Sequence, residues 1–352
     1  MWKKLILGIL VILLLGGAFI GWRFFTSNTA FPEKSKYLYI HTGHANYDEV
    51  LQTIKDSQYI KNPGSFDFLA HRMDLPEKIK AGRYEIKNGM SLSGIVRMLR
   101  NGQQAPVKLI ITKLRTKEDL AALIGRKFEC DSAATIAYMN NTDTVKAYGF
   151  DTSTIMATVY PNTYTYFWNT TPDVIFKKFF AEYRAVWTPE RKQQAEQLGL
   201  SPVKVYTLAS IVEEETRYDK EKDTMASVYL NRYNSGMRLQ ADPTVKFALH
   251  DFALKRIYEK HLAVESPYNT YRNTGLPPGP ICTPSLVTLD AVLKAAKTKY
   301  LYFVASPDFS GRHLYSETYQ QHLLNAKAFQ RAQDEQQAIR DKKAKEDIGT
   351  QK

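Results

Sequence analysis

From Leu5 to Trp22 the chain reads LILGILVILLLGGAFIGW, with no charged residue. That length predicts a helix able to cross a bilayer. The next stretch is mixed. Tyr37 to His41 and Gly82 to Ile86 read as strands, and Tyr47 to Ser57 and Ser65 to Leu75 as short helices parted by Asn62-Pro63-Gly64. After the turn Lys87-Asn88-Gly89, Ser91 caps a helix running to Arg100. Its inward face is Leu92, Ile95, Val96 and Leu99, and Asn101-Gly102 stops it.

A strand at Val107 to Thr112 follows, then helices near Lys117 to Gly125 and Ala133 to Tyr138. The aromatic run YPNTYTYFW, Tyr160 to Trp168, suits a core better than a sugar-stacking floor. Val174 to Val186 is an amphipathic helix. Ser201-Pro202 is an N-cap signal for a helix ending near Thr216. Asp219 or Asp223 can cap another, with Met225, Val228 and Tyr229 inward and Asn234-Ser235-Gly236 as its stop. Asp242-Pro243 reads as a turn.

Residues 266–285, SPYNTYRNTGLPPGPICTPS, hold five of the fifteen prolines. They predict a stiff binding loop rather than a slack linker. A helix at Leu286 to Ala296, strands at Tyr300 to Ala305 and His313 to Ser316, and a helix from Thr318 close the pattern. Residues 332–352 are charged, without apolar periodicity, and read as a frayed tail.

The expected fold class is therefore α+β, with an N-terminal transmembrane helix, a small module and a larger mixed domain. The boundaries are 1–4 for a cytoplasmic N-terminus, 5–22 for the span, 23–36 for a linker, 37–105 for the small module, 106–331 for the large domain and 332–352 for the tail. Gly16, Gly17 and Ala18 would suit a signal peptidase. The run is long for a cleaved signal, however, and passes directly into Trp22, Arg23, Phe24 and Phe25, which favours an uncleaved anchor. Lys3 and Lys4 place the N-terminus in the cytoplasm and the rest outside the cytoplasmic membrane, in the periplasm if an outer membrane is present.

The 352 residues are 44% hydrophobic and 12% aromatic, enough for two or three units. The net charge of +12 suits work beside anionic lipid or an anionic wall polymer. Export, scattered basic residues and the lack of an RNA-binding aromatic motif argue against nucleic acid. Two cysteines, Cys130 and Cys282, and seven scattered histidines give no metal-ligand spacing. Free thiols are expected, and no metal or cofactor.

One carboxylate stands out. In YTLASIVEEET, Tyr206 to Thr216, Leu208, Ile211, Val212 and Glu215 are spaced i, i+3, i+4 and i+7, an inward helical face. Glu213 and Glu214 fall to either side and are expected in water. A carboxyl pressed against apolar walls holds its proton to higher pH, so Glu215 can act as an acid.

LASIVEEET, ASVYLNR, GMRLQADPTV, SPYNTYRNTGLPPGPICTPS and YLYFVA occur in this order. The five blocks together resemble the endolytic murein transglycosylases, the MltG or YceG-like family. KAGRYEIKNGMSLSGIVRMLRNG is similar to that family's LysM-like module, and the likeness covers nearly the whole exported chain. It implies cleavage of peptidoglycan glycan strands between N-acetylmuramic acid and N-acetylglucosamine, without water, leaving 1,6-anhydro ends. It also implies synthases of the elongation machinery as partners.

The family's catalytic glutamate falls on Glu215. Protonated, it would give its proton to the glycosidic oxygen and then take one from the muramyl 6-hydroxyl, which closes on C1. The resemblance makes Tyr271 the helper, orienting the acid or a substrate oxygen, and makes Asn231, Arg232, Gln240, Asp242, Asn269 and Asn273 candidates for the cleft wall, with purely structural hydrogen bonding the alternative for each. Where many members have Glu-Gly and then Phe-Pro-Asp-Thr-Tyr, this chain has Met156-Ala157 and Tyr160-Pro161-Asn162-Thr163-Tyr164. Two other classes stay open: a hydrolase pairing Glu215 with Asp219 or Asp242, and an inactive wall-binding scaffold.

Overall fold

The computed structural model describes residues 2–349, without the side chains of residues 3, 18–20, 22, 23 and 341–349. Helix α1, Trp2–Phe25, holds the apolar run. The expected span over 5–22 falls partly on side chains outside the described residues. Among the described residues no helix is long and apolar enough to cross a membrane. Within α1, the large apolar side chains between Leu5 and Leu15 are all exposed, from 46% at Val11 to 70% at Ile12.

The chain divides into two compact units: 1–109 with 121–135 and 163–175, and 110–120 with 136–162 and 176–352. The sequence boundary at 106 matches only the first crossing. Two segments assigned to the large domain belong to the first unit, for reasons visible in their contacts. The Glu129 carboxylate accepts from the Thr42 amide and hydroxyl, both at 2.6 Å. The Trp168 ring meets Tyr39 edge-on at 4.9 Å.

The first unit is built on an antiparallel pair, β1 (Ser35–Ile40) and β2 (Gly82–Lys87), in register from Ser35 opposite Lys87 to Ile40 opposite Gly82. Alternation turns Leu38, Ile40, Tyr84 and Ile86 to one face. Three helices supply the facing surface: α2 (Tyr47–Asp56), α3 (Pro63–Arg72) and α4 (Leu92–Asn101). Ser91 Oγ accepts from the Gly94 amide, and Gly102 ends α4 in the left-handed region at φ 67°. This cap and stop are as the sequence predicts. Leu92, Ile95, Val96 and Leu99 are fully buried, each worth about 1.5–3 kcal/mol on leaving water.

Strands β3 (Val107–Ile111) and β4 (Asn162–Tyr166) pair in a second sheet. In the aromatic run Tyr160, Tyr164, Tyr166 and Trp168 are buried and Phe167 is exposed, so the run is core.

The second unit is organised around one helix. α5 (Pro202–Glu215) starts at Ser201, whose hydroxyl accepts from the Lys204 amide. All eight residues from Val205 to Val212 are buried, because α6 (Lys222–Asn234), α7 (Asp242–Leu249) and α8 (Leu286–Leu293) pack around it. The third sheet pairs β5 (Tyr302–Ala305) with β6 (His313–Ser316) antiparallel.

Several expectations need correction. α6 is capped at Glu221, because Asp219–Glu221 form a 3₁₀ turn ahead of it. Asp242-Pro243 begins a helix instead of making a turn, since proline fits the first helical turn, where its missing N–H costs nothing. The helix Pro189–Gln197, capped by Thr188, was not expected, because it is almost wholly polar. The last helix, α9 (Tyr319–Gly349), carries the expected tail as far as residue 349, and residues 350–352 lie outside the described residues. Alanine, glutamine, lysine and glutamate there favour helix without an apolar face.

Candidate active site

Glu215 closes α5 at the floor of a cleft of about 260 Å³ lined by Glu215, Arg232, Gln240, Asp242, Tyr271, Phe303 and His322. The residue as a whole is half-buried. Burial raises its pKa to about 7, helped by the nearby charges of Asp242 and Glu214. A hydrogen bond from Tyr229 and the charge of Lys246 pull the other way without cancelling the burial. At neutral pH this acid is about half protonated, the condition under which one group serves well as both proton donor and acceptor.

The partner of Glu215 is Tyr229, whose hydroxyl donates to Oε1 at 2.6 Å. Tyr229 sits in the middle of α6, fully buried, with its ring edge-on to Phe303 at 5.9 Å. Burial and the adjacent carboxyl push its phenol well above the usual range, so it remains a donor. The sequence placed Tyr229 inward but gave it no role. A tyrosine on an apolar face, one helix along from a buried acid, is the signal that was there to use.

Tyr271, expected to assist Glu215, donates instead to Asp242 Oδ1 at 2.6 Å. Its pKa is raised by burial and by that bond. Asp242 and Tyr271 thus form a second pair across the same cleft, Asp242 from the start of α7 and Tyr271 from the proline-rich loop. Arg232 and Gln240 line the cleft and bind each other, Nη1 to Oε1 at 3.2 Å. The guanidinium also donates to the Leu301 and Leu239 carbonyls, which fixes β5 against α6.

The three asparagines are builders rather than wall residues. Asn231 donates to the Thr298 and Tyr300 carbonyls. Asn269, fully buried, donates to Leu262 and Val264, and Asn273 to Ser266 and Asn269. The proline-rich segment is largely internal: the Ile281 amide donates to Ser210 Oγ, and Cys282 Sγ donates to the Ser210 carbonyl. Cys130 and Cys282 are both free thiols.

Glu213 and Glu214 do not face water; their side chains are 18% and 14% exposed. The last turn of α5 is covered on the sides of Glu213 and Glu214, so both carboxylates must be paired. Glu213 accepts from Ser285, Thr288 and Lys222. Glu214 is held by Lys113 at 2.9 Å and Arg115 at 3.0 Å. Burial pushes the Glu214 carboxyl up, but the two cations outweigh it and the net shift is downward. Asp219 is bound to Lys222 at 2.8 Å and lies outside the lining of the cleft. Among the described residues no group of histidine, cysteine and carboxylate side chains is arranged to hold a metal.

Comparison with known proteins gives consistent results. The model of the YceG-like family matches residues 38–328. An endolytic murein transglycosylase of Bacillus subtilis is 27% identical over 88% of this chain and 89% of its own. One from Streptococcus pneumoniae is 24% identical over 92% of this chain, which spans 64% of that longer relative. A crystal structure of a YceG-like protein from Listeria monocytogenes superposes with a TM-score of 0.55 at 28% identity, covering 82% of this chain and 98% of that one.

Proposed function

The chain belongs to the YceG-like family, and on that footing we propose that it is a lytic transglycosylase that cuts the glycan strands of peptidoglycan internally. The observation that carries the reading is one proton-holding acid, Glu215, with a pKa near 7 at the base of an open cleft. Protonated Glu215 donates to the oxygen linking N-acetylmuramic acid to N-acetylglucosamine while the muramyl ring becomes an oxocarbenium-like centre. The carboxylate formed is steadied by the Tyr229 hydroxyl. It then removes the proton of the muramyl 6-hydroxyl, whose oxygen bonds to C1 and leaves a 1,6-anhydro end. No second protein carboxylate is consumed.

Asp242 supports a second reading. It shares the cleft with Glu215, so it could direct water to C1 and turn the reaction into hydrolysis. Digestion of purified glycan strands followed by mass spectrometry separates the two. Anhydro-muramyl ends on every new terminus support transglycosylation; reducing ends that disappear in Asp242→Asn would establish hydrolysis. Glu215→Gln keeps the volume and the bond from Tyr229 but has no acid proton. We expect a loss of 10²-fold or more, the usual scale for a general acid. Full activity in Glu215→Gln would end both readings, whereas no cleavage by the wild type, with binding to wall material retained, would leave the wall-binding scaffold.

The same reading makes α1 a single-pass anchor with its N-terminus in the cytoplasm. Support comes from 24 helical residues, about 36 Å at 1.5 Å each, and from apolar side chains exposed all around the helix between Leu5 and Leu15. The small unit at 37–105 then acts as a LysM-like module outside the membrane. Cutting would occur near the membrane, beside the synthases that extend the strands.

A further inference from the structure

A second cavity, of about 240 Å³, opens on the same unit away from Glu215. Its lining includes Arg115, Lys117 and His250, with Glu118 as the acid. The Lys117 ammonium donates to Asn140 Oδ1 at 2.5 Å and the Thr152 carbonyl at 3.2 Å. Both acceptors are neutral, so its charge is held in place without being neutralised. Neighbouring acids are committed to the backbone: Asp119 accepts the Arg115 and Thr116 amides, and Asp151 the Ser153 and Thr154 amides. Part of the lining is apolar, with the Phe247 and Tyr268 rings 4.6 Å apart and tilted by 40°, and Met156 in the same lining.

The cavity is tied to the cleft by α7. Asp242 at its start lines the cleft, whereas Phe247 and His250 at its end line the cavity. At about 1.5 Å per residue these are roughly 8–12 Å apart along the axis. A narrower recess bordered by Lys246, Arg115 and Glu214 lies along the same helix. A substituent hanging from a sugar bound over Glu215 is within that reach.

We propose that this cavity takes the acidic peptide carried by the muramyl sugar, with Lys117 receiving a peptide carboxylate and the Phe247 and Tyr268 rings its aliphatic part, while Arg115 stays paired with Glu214. The proposal rests on the glycan-cutting reading of the Glu215 cleft and adds a preference to it. With the muramyl lactyl group amidated by the peptide, the sugars of the strand offer no charge for Lys117 to select, whereas the peptide does. A phosphate group would satisfy Lys117 but leave the apolar rings without a counterpart.

The test compares kcat/KM on glycan strands that carry their peptides with strands stripped of peptide by an amidase, whose freed lactyl carboxylates sit on the sugar itself and have no peptide to reach the cavity. The wild-type chain should favour the peptide-bearing strand. Lys117→Gln should lower kcat/KM on it roughly tenfold, the scale of one charge-assisted hydrogen bond, and bring the two substrates level, with Lys117→Glu lowering it further. Equal cutting of both strands by the wild type, or a preference that survives both substitutions, would overturn the proposal. If neither strand is cut, the glycan-cutting reading has failed, and a binding measurement decides the cavity alone. For this, the Glu215→Gln chain is titrated with the free tripeptide L-alanyl-γ-D-glutamyl-diamino acid and, separately, with inorganic pyrophosphate. Peptide binding that is lost on adding Lys117→Gln sustains the assignment; no binding, or tighter binding of pyrophosphate, overturns it.

Discussion

Replacing Glu215 with glutamine should make the protein more stable, and only above the acid range. The carboxyl pKa is about 7 in the folded chain against 4.5 as its ordinary value. Below pH 4.5 both folded and unfolded chains carry the proton, and the group costs nothing. Between 4.5 and 7 the unfolded chain releases a proton that the folded chain retains, so stability falls as pH rises, and above 7 the loss is complete. At about 1.4 kcal/mol per unit, the penalty is about 3 kcal/mol at pH 8.5.

Glutamine fills the same space, can accept the Tyr229 hydrogen bond and carries no charge, so the variant escapes the penalty. Urea unfolding of wild type and variant in the same detergent at pH 4.5 and pH 8.5 measures it, and other titrating groups cancel in the difference. Little separation is expected at pH 4.5. At pH 8.5 the variant should lead by about 3 kcal/mol, on the order of 6–12 °C in melting temperature for a unit of this size. A difference between the two chains that is the same at both pH values would show that Glu215 is not desolvated, and the acid role would go with it.

Tyr229→Phe removes the donor that favours charged Glu215. The alkaline limb of its kcat/KM profile should move up by roughly one pH unit or more, since a hydrogen bond to a charged group is worth about 1.5–3 kcal/mol; an unmoved limb would mean that the bond is not made in solution. Glu214→Gln should leave the chemistry intact but lower stability at neutral pH by roughly 1–3 kcal/mol, because Lys113 and Arg115 lose their shared partner. The folded pKa of Glu214 is depressed, so its stabilising contribution is present above its unfolded pKa and disappears as pH falls through the folded one. The variant's deficit should therefore shrink on acidification, a trend that denaturation at several pH values will reveal.

The sequence alone determined the local pieces. Ser91 and Ser201 as helix starts, Gly102 as a stop and the inward set Leu92, Ile95, Val96 and Leu99 all follow from backbone chemistry and a 3.6-residue period, which act over a few residues. The same period singled out Glu215, since i, i+3, i+4 and i+7 are fixed before any partner arrives. Only the tertiary structure decided what encloses those pieces. Glu213 and Glu214 read as facing water because a single helix seen alone has two sides, yet the packing around the last turn of α5 covers both. Tyr229 rather than Tyr271 holds the acid, and Asn231, Asn269 and Asn273 tie loops instead of lining the cleft. Those choices depend on which side chains and carbonyls come within about 3 Å of one another across turns and between helices, and periodicity along one strand or helix carries no information about that distance.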